Sequence, residues 1–310
     1  MITTLLSWIQ GQAADHAGQA GEAAGHAAGG PPDLGEMIMH HLVDAHEIEL
    51  PWGVIHLPTG WYVDLGPLGT VDLAPTKHVV LMIVAAVILV AVFLPLAAAA
   101  RRRGGESAPT GAGNAMEAMV LYFRDEVVRR NIGHGADAFA PYILTLFFFI
   151  LVMNLLGLVP WGGSATGNLS VTAALAVMSF VVIEVAGMRE LGAAGYAKTI
   201  FYAPEGMNAV GKALMLVIMT PVEFLGKLTK PFALAVRLFA NMTAGHTLIL
   251  ALGGLIFIFL NVLVAAAGVA VASTLMGTAI MVLELFVAFL QAYIFAMLTA
   301  VFIGLIRHAH

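Results

Sequence analysis

Long apolar runs dominate the pattern of this chain from residue 79 onward. The first, residues 79–100, has 22 residues without a charge, and as a helix rising about 1.5 Å per residue it can cross a hydrocarbon core of about 30 Å. Residues 139–160 and 169–187 predict a second and a third membrane helix in the same way. The pattern therefore predicts an all-α, polytopic membrane protein.

The apolar pattern is almost continuous over residues 207–306, although charges interrupt it. A helix over residues 207–257 would be roughly 75 Å long, more than twice the thickness of the hydrocarbon core. Such a helix is either broken, with Pro221 and Pro231 as candidate kinks, or strongly inclined. With a second long helix near residues 262–306, we expect about five membrane helices in a single membrane domain, residues 76–310. The turn between the last two helices falls between residues 251 and 268, with candidates Gly253, Gly254 and Asn261.

The first 75 residues have a different pattern. Residues 11–32 are mostly Gly, Ala, Gln and His, and we interpret residues 1–33 as a disordered tail. Apolar residues at helical spacing over residues 34–50 predict a short amphipathic helix, within an amphipathic segment, residues 34–75, on the outer surface. Four histidines surround this helix, and either a metal site or solvated histidines would explain them: His40, His41, His46 and His56.

The composition agrees with a membrane protein, since 60% of the residues are hydrophobic and 11% are charged. No Lys or Arg precedes Lys77, whereas the segment between the first two predicted spans is rich in arginine, so the N-terminus is expected outside and that segment in the cytoplasm. Residues 116–128 of this segment are amphipathic and predict an interfacial helix or a partner contact. The fifth helix then ends near Arg307, which puts the C-terminus in the cytoplasm.

Cysteine is absent, which excludes disulfides, thiolate metal sites and cysteine nucleophiles. The net charge of −5 does not indicate a nucleic-acid partner. Polar residues at or near membrane depth are therefore the candidate chemistry. Interhelical hydrogen bonding would explain Asn154 and Asn168, and a position near the cytoplasmic end of its helix would explain Glu184.

A polar stripe runs along the fourth predicted membrane helix. Glu223, Lys230 and Arg237 recur every seven residues and drift by only about 20° per step. Asn241 lies close to the stripe, whereas His246 lies about 180° from Arg237 around the helix. On the last helix Glu284 and Gln291 share a face, and Tyr293 lies nearby.

Each ionised group at the bilayer centre costs roughly 2.5 to 3.5 kcal/mol, so these charges must line water or pair with one another. A buried ion-pair network, for example Glu223 with Lys227 or Lys230, is the alternative to a functional role.

Four segments of the chain carry a resemblance to a known family. Residues 230–246 (KPFALAVRLFANMTAGH) and 283–299 (LELFVAFLQAYIFAMLT) look like subunit a of the F-type ATP synthase. Residues 153–160 (MNLLGLVP) and 166–176 (TGNLSVTAALA) are similar to the second and third spans of that family. The resemblance covers roughly residues 75–306.

The resemblance implies a non-catalytic proton-channel subunit in the stator of a rotary motor, in which a ring of c subunits turns against two inclined helices. Arg237 would face the ring carboxylates and separate two half-channels, while Asn241 and Gln291 would orient it. Glu223 would line the cytoplasmic half-channel, and His246 and Glu284 would form a coupled pair in the outer half-channel. The acid and the histidine of this pair are exchanged relative to several bacterial members, as in mitochondrial-type members.

The resemblance also implies the partners: the c ring, b-type peripheral stalk subunits, other ATP synthase subunits and the lipid bilayer of a bacterial inner membrane. No cofactor is expected, and no glycine-lysine phosphate loop is found, so we do not expect this chain to bind ATP.

Two other classes of membrane protein are alternatives to a proton-channel subunit. A secondary transporter would carry an internal repeat of the Arg237 segment, and no second copy is found. A passive membrane anchor would tolerate the loss of Arg237.

Overall fold

The computed structural model describes residues 46–50, 53–64, 66, 70–72, 74–103, 111–159, 163–201, 208–259 and 263–308. Five helices in these ranges are long and apolar enough to cross a membrane, so the prediction of an all-α, polytopic membrane protein is confirmed. The described residues form seven α-helices in all: α1 (Lys77–Arg103), α2 (Ala112–Tyr122), α3 (Arg130–Ile132), α4 (Ala140–Gly157), α5 (Leu169–Ile200), α6 (Ala209–Phe259) and α7 (Leu263–Arg307).

The apolar core is built around α4. Half of the most apolar stretch of α4 is buried, against 6% of that of α1, so most of the surface of α1 is not covered by the described part of this chain. The ring of Phe147 lies 4.1 Å from that of Phe123 and 5.6 Å from that of Phe289, measured between centroids. Phe93 of α1 packs edge-on against Phe148 at 4.7 Å. Aromatic contacts at these distances join α4 to its neighbours on three sides.

The amphipathic segment near residues 116–128 forms α2, followed by a π-helix over Phe123–Arg129 and by α3. Phe123, Val127 and Val128 are buried, and Phe123 packs on Phe147 and on Tyr293 of α7. The apolar side chains of the π-helix are thus covered by helices of the same chain, whereas α2 has no buried residue. The charged face of this segment is exposed.

An ion pair holds the end of this segment to the 3₁₀ turn Ala136–Ala138. Arg129 donates from Nε and Nη2 to the two carboxylate oxygens of Asp137, each at 2.8 Å. The hydrogen bonds from Arg129, and then its positive charge, hold the pKa of Asp137 below its ordinary value against the opposing effect of desolvation. A planar guanidinium fork matched to a carboxylate in this way gives the turn a defined orientation.

The two last helices are continuous. Helix α6 has 51 residues with Pro221 and Pro231 inside it, and α7 has 45 residues. Of the two sequence-based alternatives, the broken helix is therefore wrong. The candidate turn positions Gly253 and Gly254 lie inside α6, and α6 and α7 are joined by residues 260–262, outside the described residues.

Helix α5 is longer than the apolar run that predicts it. It continues from residue 187 to Ile200, with a non-helical backbone at Gly192 (φ 69°, ψ 167°). An apolar run marks only the part of a helix that needs an apolar environment, and this extension is polar. Glu190 in the extension accepts hydrogen bonds from Arg307 Nη2 at 2.6 Å and from Nε at 3.1 Å, which ties the end of α7 to α5.

Before α1, the described residues form two antiparallel hairpins, not the predicted helix. Strand β1 (Glu47–Leu50) pairs with β2 (Gly53–His56), and β3 (Tyr62–Asp64) pairs with β4 (Thr70–Asp72). The helix expected over residues 34–50 is thus wrong for its last four residues, where charged and apolar side chains alternate with the period of a strand. Residues 34–45 of that helix, with His40 and His41, and the tail over residues 1–33 lie outside the described residues.

The chain divides into two compact units. One comprises Leu42–Leu248 with Thr278–His310, and it contains the apolar core. The other includes Ile249–Gly277, the end of α6 and the beginning of α7.

Candidate functional site

Helix α6 has two faces in the region of Arg237. Leu234, Leu238 and Met242 are buried at successive turns and hold the helix to the rest of the unit. On another side of the helix, an arginine and three alanines that are all exposed recur at helical spacing: Ala233, Arg237, Ala240 and Ala244. We call these four residues the alanine stripe. Small residues along a membrane helix permit another helix to approach closely.

The Arg237 side chain is exposed on this stripe, and no carboxylate of the described residues forms an ion pair with it. An arginine at membrane depth is costly unless it meets water or an anion. Arg237 therefore needs water or an anion that the described residues do not supply.

Several polar groups buried near this part of α6 have no hydrogen-bond partner in the described part of the chain. They include Asn241 Nδ2, His246 Nε2, Gln291 Nε2 and both carboxylate oxygens of Glu284. Glu284 and Gln291 are each only 5% exposed. Buried polar atoms are almost always hydrogen-bonded, so each of these requires water, a proton or a partner subunit.

The Glu284 carboxylate lies against the backbone of α6. A Cβ atom built on Gly245 would lie 2.5 Å from Glu284 Cδ and would overlap a carboxylate oxygen. The absence of a side chain at Gly245 is therefore what allows Glu284 to occupy this position. The predicted coupling of His246 to Glu284 is not a hydrogen bond in this structure, since neither Nε2 of the imidazole nor the carboxylate has a described partner.

A buried polar network fixes α7 beside α4. Asn154 is fully buried; its Nδ2 donates to the backbone carbonyl of Ala288 at 3.1 Å, and its Oδ1 accepts from the Thr166 hydroxyl at 2.8 Å. Interhelical hydrogen bonding therefore accounts for Asn154. Asn168 is the N-cap of α5, because its Oδ1 accepts from the backbone N–H of Ser170 at 2.8 Å.

A second cluster of polar side chains lies where α5, α6 and α7 meet. Lys227 Nζ donates to Glu184 Oε2 at 3.4 Å, and the two side chains are 10% and 12% exposed. The Tyr196 hydroxyl donates to the same carboxylate oxygen, and Lys227 Nζ also donates to Thr199 Oγ1 at 3.3 Å. The pairing of Lys227 with Glu223 is therefore wrong, because Lys227 turns inward to another helix.

Glu223 and Lys230 are exposed, and both line a cavity of about 110 Å³ that Glu184 and Lys227 also line. Lys230 Nζ lies 5.1 Å from the centroid of the Phe302 ring on α7. Sequence reasoning identified Glu223 and Lys230, but it considered Lys227 only as a partner of Glu223 and missed its pairing with Glu184. The signal for Lys227 was present, because a lysine inside an apolar helix needs a counter-charge.

Known proteins of one family are similar to this chain over most of its length. The profile of the ATP synthase A chain matches residues 79–304. ATP synthase subunit a of Chloroherpeton thalassium is 43% identical over 268 residues, covering 86% of this chain and 75% of the relative. ATP synthase subunit a 2 of Prosthecochloris aestuarii is 45% identical over 285 residues, covering 92% and 83%. ATP synthase subunit a of Anaeromyxobacter dehalogenans is 44% identical over 310 residues, covering 96% and 76%.

Proposed function

This chain belongs to the ATP synthase A chain family, and on that premise we propose that it is the Fo stator subunit that carries protons to and from a rotating c ring. The observation that supports this most strongly is Arg237, a charged side chain exposed on the alanine stripe with no described counter-ion. A ring helix with a carboxylate at membrane depth would supply the missing anion, and the three alanines would let it approach.

Arg237 keeps the two halves of the path apart. A guanidinium stays protonated at any relevant pH and binds a carboxylate through a planar fork. It therefore favours the ionised form of each ring carboxylate that passes and prevents a proton from crossing directly between the half-channels. Asn241 and Gln291, whose amide nitrogens lack described partners, orient the guanidinium once the ring is in place.

The proton enters from outside past His246 and Glu284, protonates a ring carboxylate, travels with the ring through lipid and leaves past Glu223. Imidazole and carboxylate groups exchange protons near neutral pH, which suits them to such a path. One charge crossing about 100 mV supplies about 2.3 kcal/mol, so several are needed for each ATP. The nucleotide chemistry belongs to other subunits.

The orientation in a bacterial inner membrane follows from the charges. The ends of α1 and α7 carry the basic residues Arg101, Arg102 and Arg307, which favours a cytoplasmic C-terminus and an external N-terminus. Helix α1 is exposed along most of its length and is available to lipid or to b-type stalk subunits.

Disulfide cross-linking tests the docking surface. The chain has no cysteine, so Ala240→Cys introduces a single thiol on the exposed stripe, and Ala235→Cys, at a position only 5% exposed, is the matched control. With a second cysteine scanned along the c-subunit helix beside its carboxylate, we expect Ala240→Cys to cross-link and Ala235→Cys not to. Equal cross-linking, or none from either, would argue against the proposed face.

ATP-driven proton pumping tests the outer half-channel. Glu284→Gln and His246→Ala should each slow pumping by inverted vesicles at least about tenfold, because a positioned proton-transfer group typically contributes a hundredfold or more. Glu117→Gln, an exposed carboxylate of α2, is the control and should pump at the parental rate. Unchanged pumping by both variants across a pH series would favour a structural role for these two residues.

A further inference from the structure

The Glu184–Lys227 ion pair is a feature that the proposed path does not use. Two ionisable side chains, each almost nine-tenths buried, pair across α5 and α6 beside a cavity that Glu223 also lines. Isolated buried charges are unfavourable, and a buried pair is weak evidence for stability because apolar residues often serve as well. The position of the pair beside the cavity is therefore the informative observation.

The cavity extends from this pair to the C-terminal part of α7. Its lining includes Phe302, Leu305 and Ile306, within the last turns of α7. Glu223 and Lys227 are four residues apart on α6, so both side chains point to the same side of that helix. Lys227 thus lines the same cavity as two carboxylates: Glu184 on α5, with which it pairs, and Glu223 on its own helix.

We propose that Glu184 is a second proton-carrying carboxylate on the path that leaves past Glu223, and that the positive charge of Lys227, which lines the same cavity as both acids, disfavours two protons on them at once. This inference rests on the proposed function. When a proton reaches Glu184 from Glu223 through water, an O–H bond forms at Glu184 as one breaks at Glu223. Lys227 then loses its counter-ion at Glu184 and gains one at Glu223. Release of the Glu184 proton to water, followed by uptake of the next proton at Glu223, restores the first arrangement.

The hydrogen bonds around Glu184 suit this role. The Tyr196 hydroxyl and Lys227 Nζ both donate to Oε2, and no bond to Oε1 is described. A carboxylate held through one oxygen leaves the other to accept a proton. The titratable or charged groups around it in the described chain are Tyr196 from α5, Lys227, Lys230 and Glu223 from α6, and Tyr142 from α4, which is hydrogen-bonded to the cavity residue Ser179.

The decisive variant is Glu184→Gln combined with Lys227→Met. Glutamine keeps the shape and an acceptor oxygen for Tyr196 but cannot exchange a proton, and methionine removes the charge that would be left unpaired. We expect this double variant to assemble and to pump at less than about a tenth of the parental rate, because the proton-transfer group is gone. Pumping at the parental rate would overturn the inference, since it would show that the pair is only structural.

Glu184→Asp provides a second readout that does not depend on the double variant. It keeps the acid at a changed distance from Lys227, so we expect pumping to persist with a displaced pH profile. An unchanged profile would contradict a proton-carrying role, because a structural ion pair would not move it. Glu117→Gln is again the control.

Arg237→Ala should be measured in the same series. Normal pumping by Arg237→Ala would refute the proposed function itself. Loss of pumping in Arg237→Ala together with parental pumping in the Glu184 double variant would refute only the present inference.

Discussion

Two glycine-to-alanine substitutions separate the geometry of the proton path from the stability of the fold. Gly245 and Gly304 are both in helices, and an added Cβ would overlap an oxygen atom in each case. At Gly245 this oxygen belongs to the end of the Glu284 side chain. At Gly304 it is the backbone carbonyl oxygen of Asn131, whose carbonyl carbon would lie 3.0 Å from the new methyl group. The same chemical change therefore meets a movable group in one place and a fixed one in the other.

At Gly245 the cost to folding should be small. Turning the Glu284 side chain aside costs about 0.5 to 1.5 kcal/mol, and the preference of a helix interior for alanine returns about 1 kcal/mol. The carboxylate nevertheless moves, and a displacement of about 1 Å in a reacting group can reduce a rate up to a hundredfold. We expect Gly245→Ala to assemble normally and to pump about ten- to a hundredfold more slowly.

At Gly304 the balance is different. Overpacking against atoms that cannot rotate away costs about 1 to 3 kcal/mol, and a backbone carbonyl belongs at the upper end of that range. Gly304 lies in the last turn of α7, where the gain in helix propensity is small. A net loss of about 2 kcal/mol lowers the ratio of folded to unfolded protein roughly 30-fold. We therefore expect less assembled complex and normal pumping per assembled complex.

The assay has two parts. Native gels of detergent-solubilised membranes measure assembled complex, and quenching of a pH-sensitive dye in inverted vesicles measures ATP-driven pumping. Gly268→Ala, at an exposed position where a Cβ meets nothing within 4 Å, is the control and should match the parent in both. Parental pumping by Gly245→Ala, or full assembly of Gly304→Ala, would refute the respective reasoning.

Two further predictions concern interactions away from the path. Asn154→Ala removes the hydrogen bonds to Ala288 and Thr166 and should destabilise the complex by about 1 to 3 kcal/mol, measured as a lower dissociation temperature; an unchanged temperature would show that other groups replace them. Asp137→Asn should remove stability that is present at neutral pH and fades below about pH 4, because Arg129 lowers the pKa of Asp137 in the folded state. The parent should therefore lose its advantage over Asp137→Asn in acid, and a pH-independent difference would contradict this.

The sequence predicts the membrane helices well because the requirement behind them is local. A segment that crosses lipid must satisfy its own backbone and present apolar side chains, and both conditions can be read from one stretch of chain. The same rule underestimates the length of α5, because the polar end of that helix is stabilised by a hydrogen bond from Arg307 of α7 to Glu190. The strand Glu47–Leu50 was missed because a few apolar residues fit a helical spacing and an alternating one equally well.

The candidate site was predictable only in part, for a similar reason. The periodicity of Glu223, Lys230 and Arg237 identifies a polar stripe on one helix, whereas the partner of a buried charge depends on how helices pack. Lys227 is closer in sequence to Glu223 than to Glu184, yet the packing of α5 on α6 selects Glu184. The contact of Glu284 with Gly245 likewise depends on the register between α6 and α7, which helical periodicity within each does not determine.

The central claim is that a permanent positive charge at position 237 is required for proton transport and not for assembly. Its most direct test is ATP-driven proton pumping by Arg237→Ala in inverted vesicles, with assembled complex measured on the same membranes. Lys212→Ala, an exposed charge in the first turn of α6, is the control. We expect normal assembly and no measurable pumping for Arg237→Ala, and parental pumping for Lys212→Ala. Parental pumping by assembled Arg237→Ala would show that the charge is not required and would favour a passive membrane anchor.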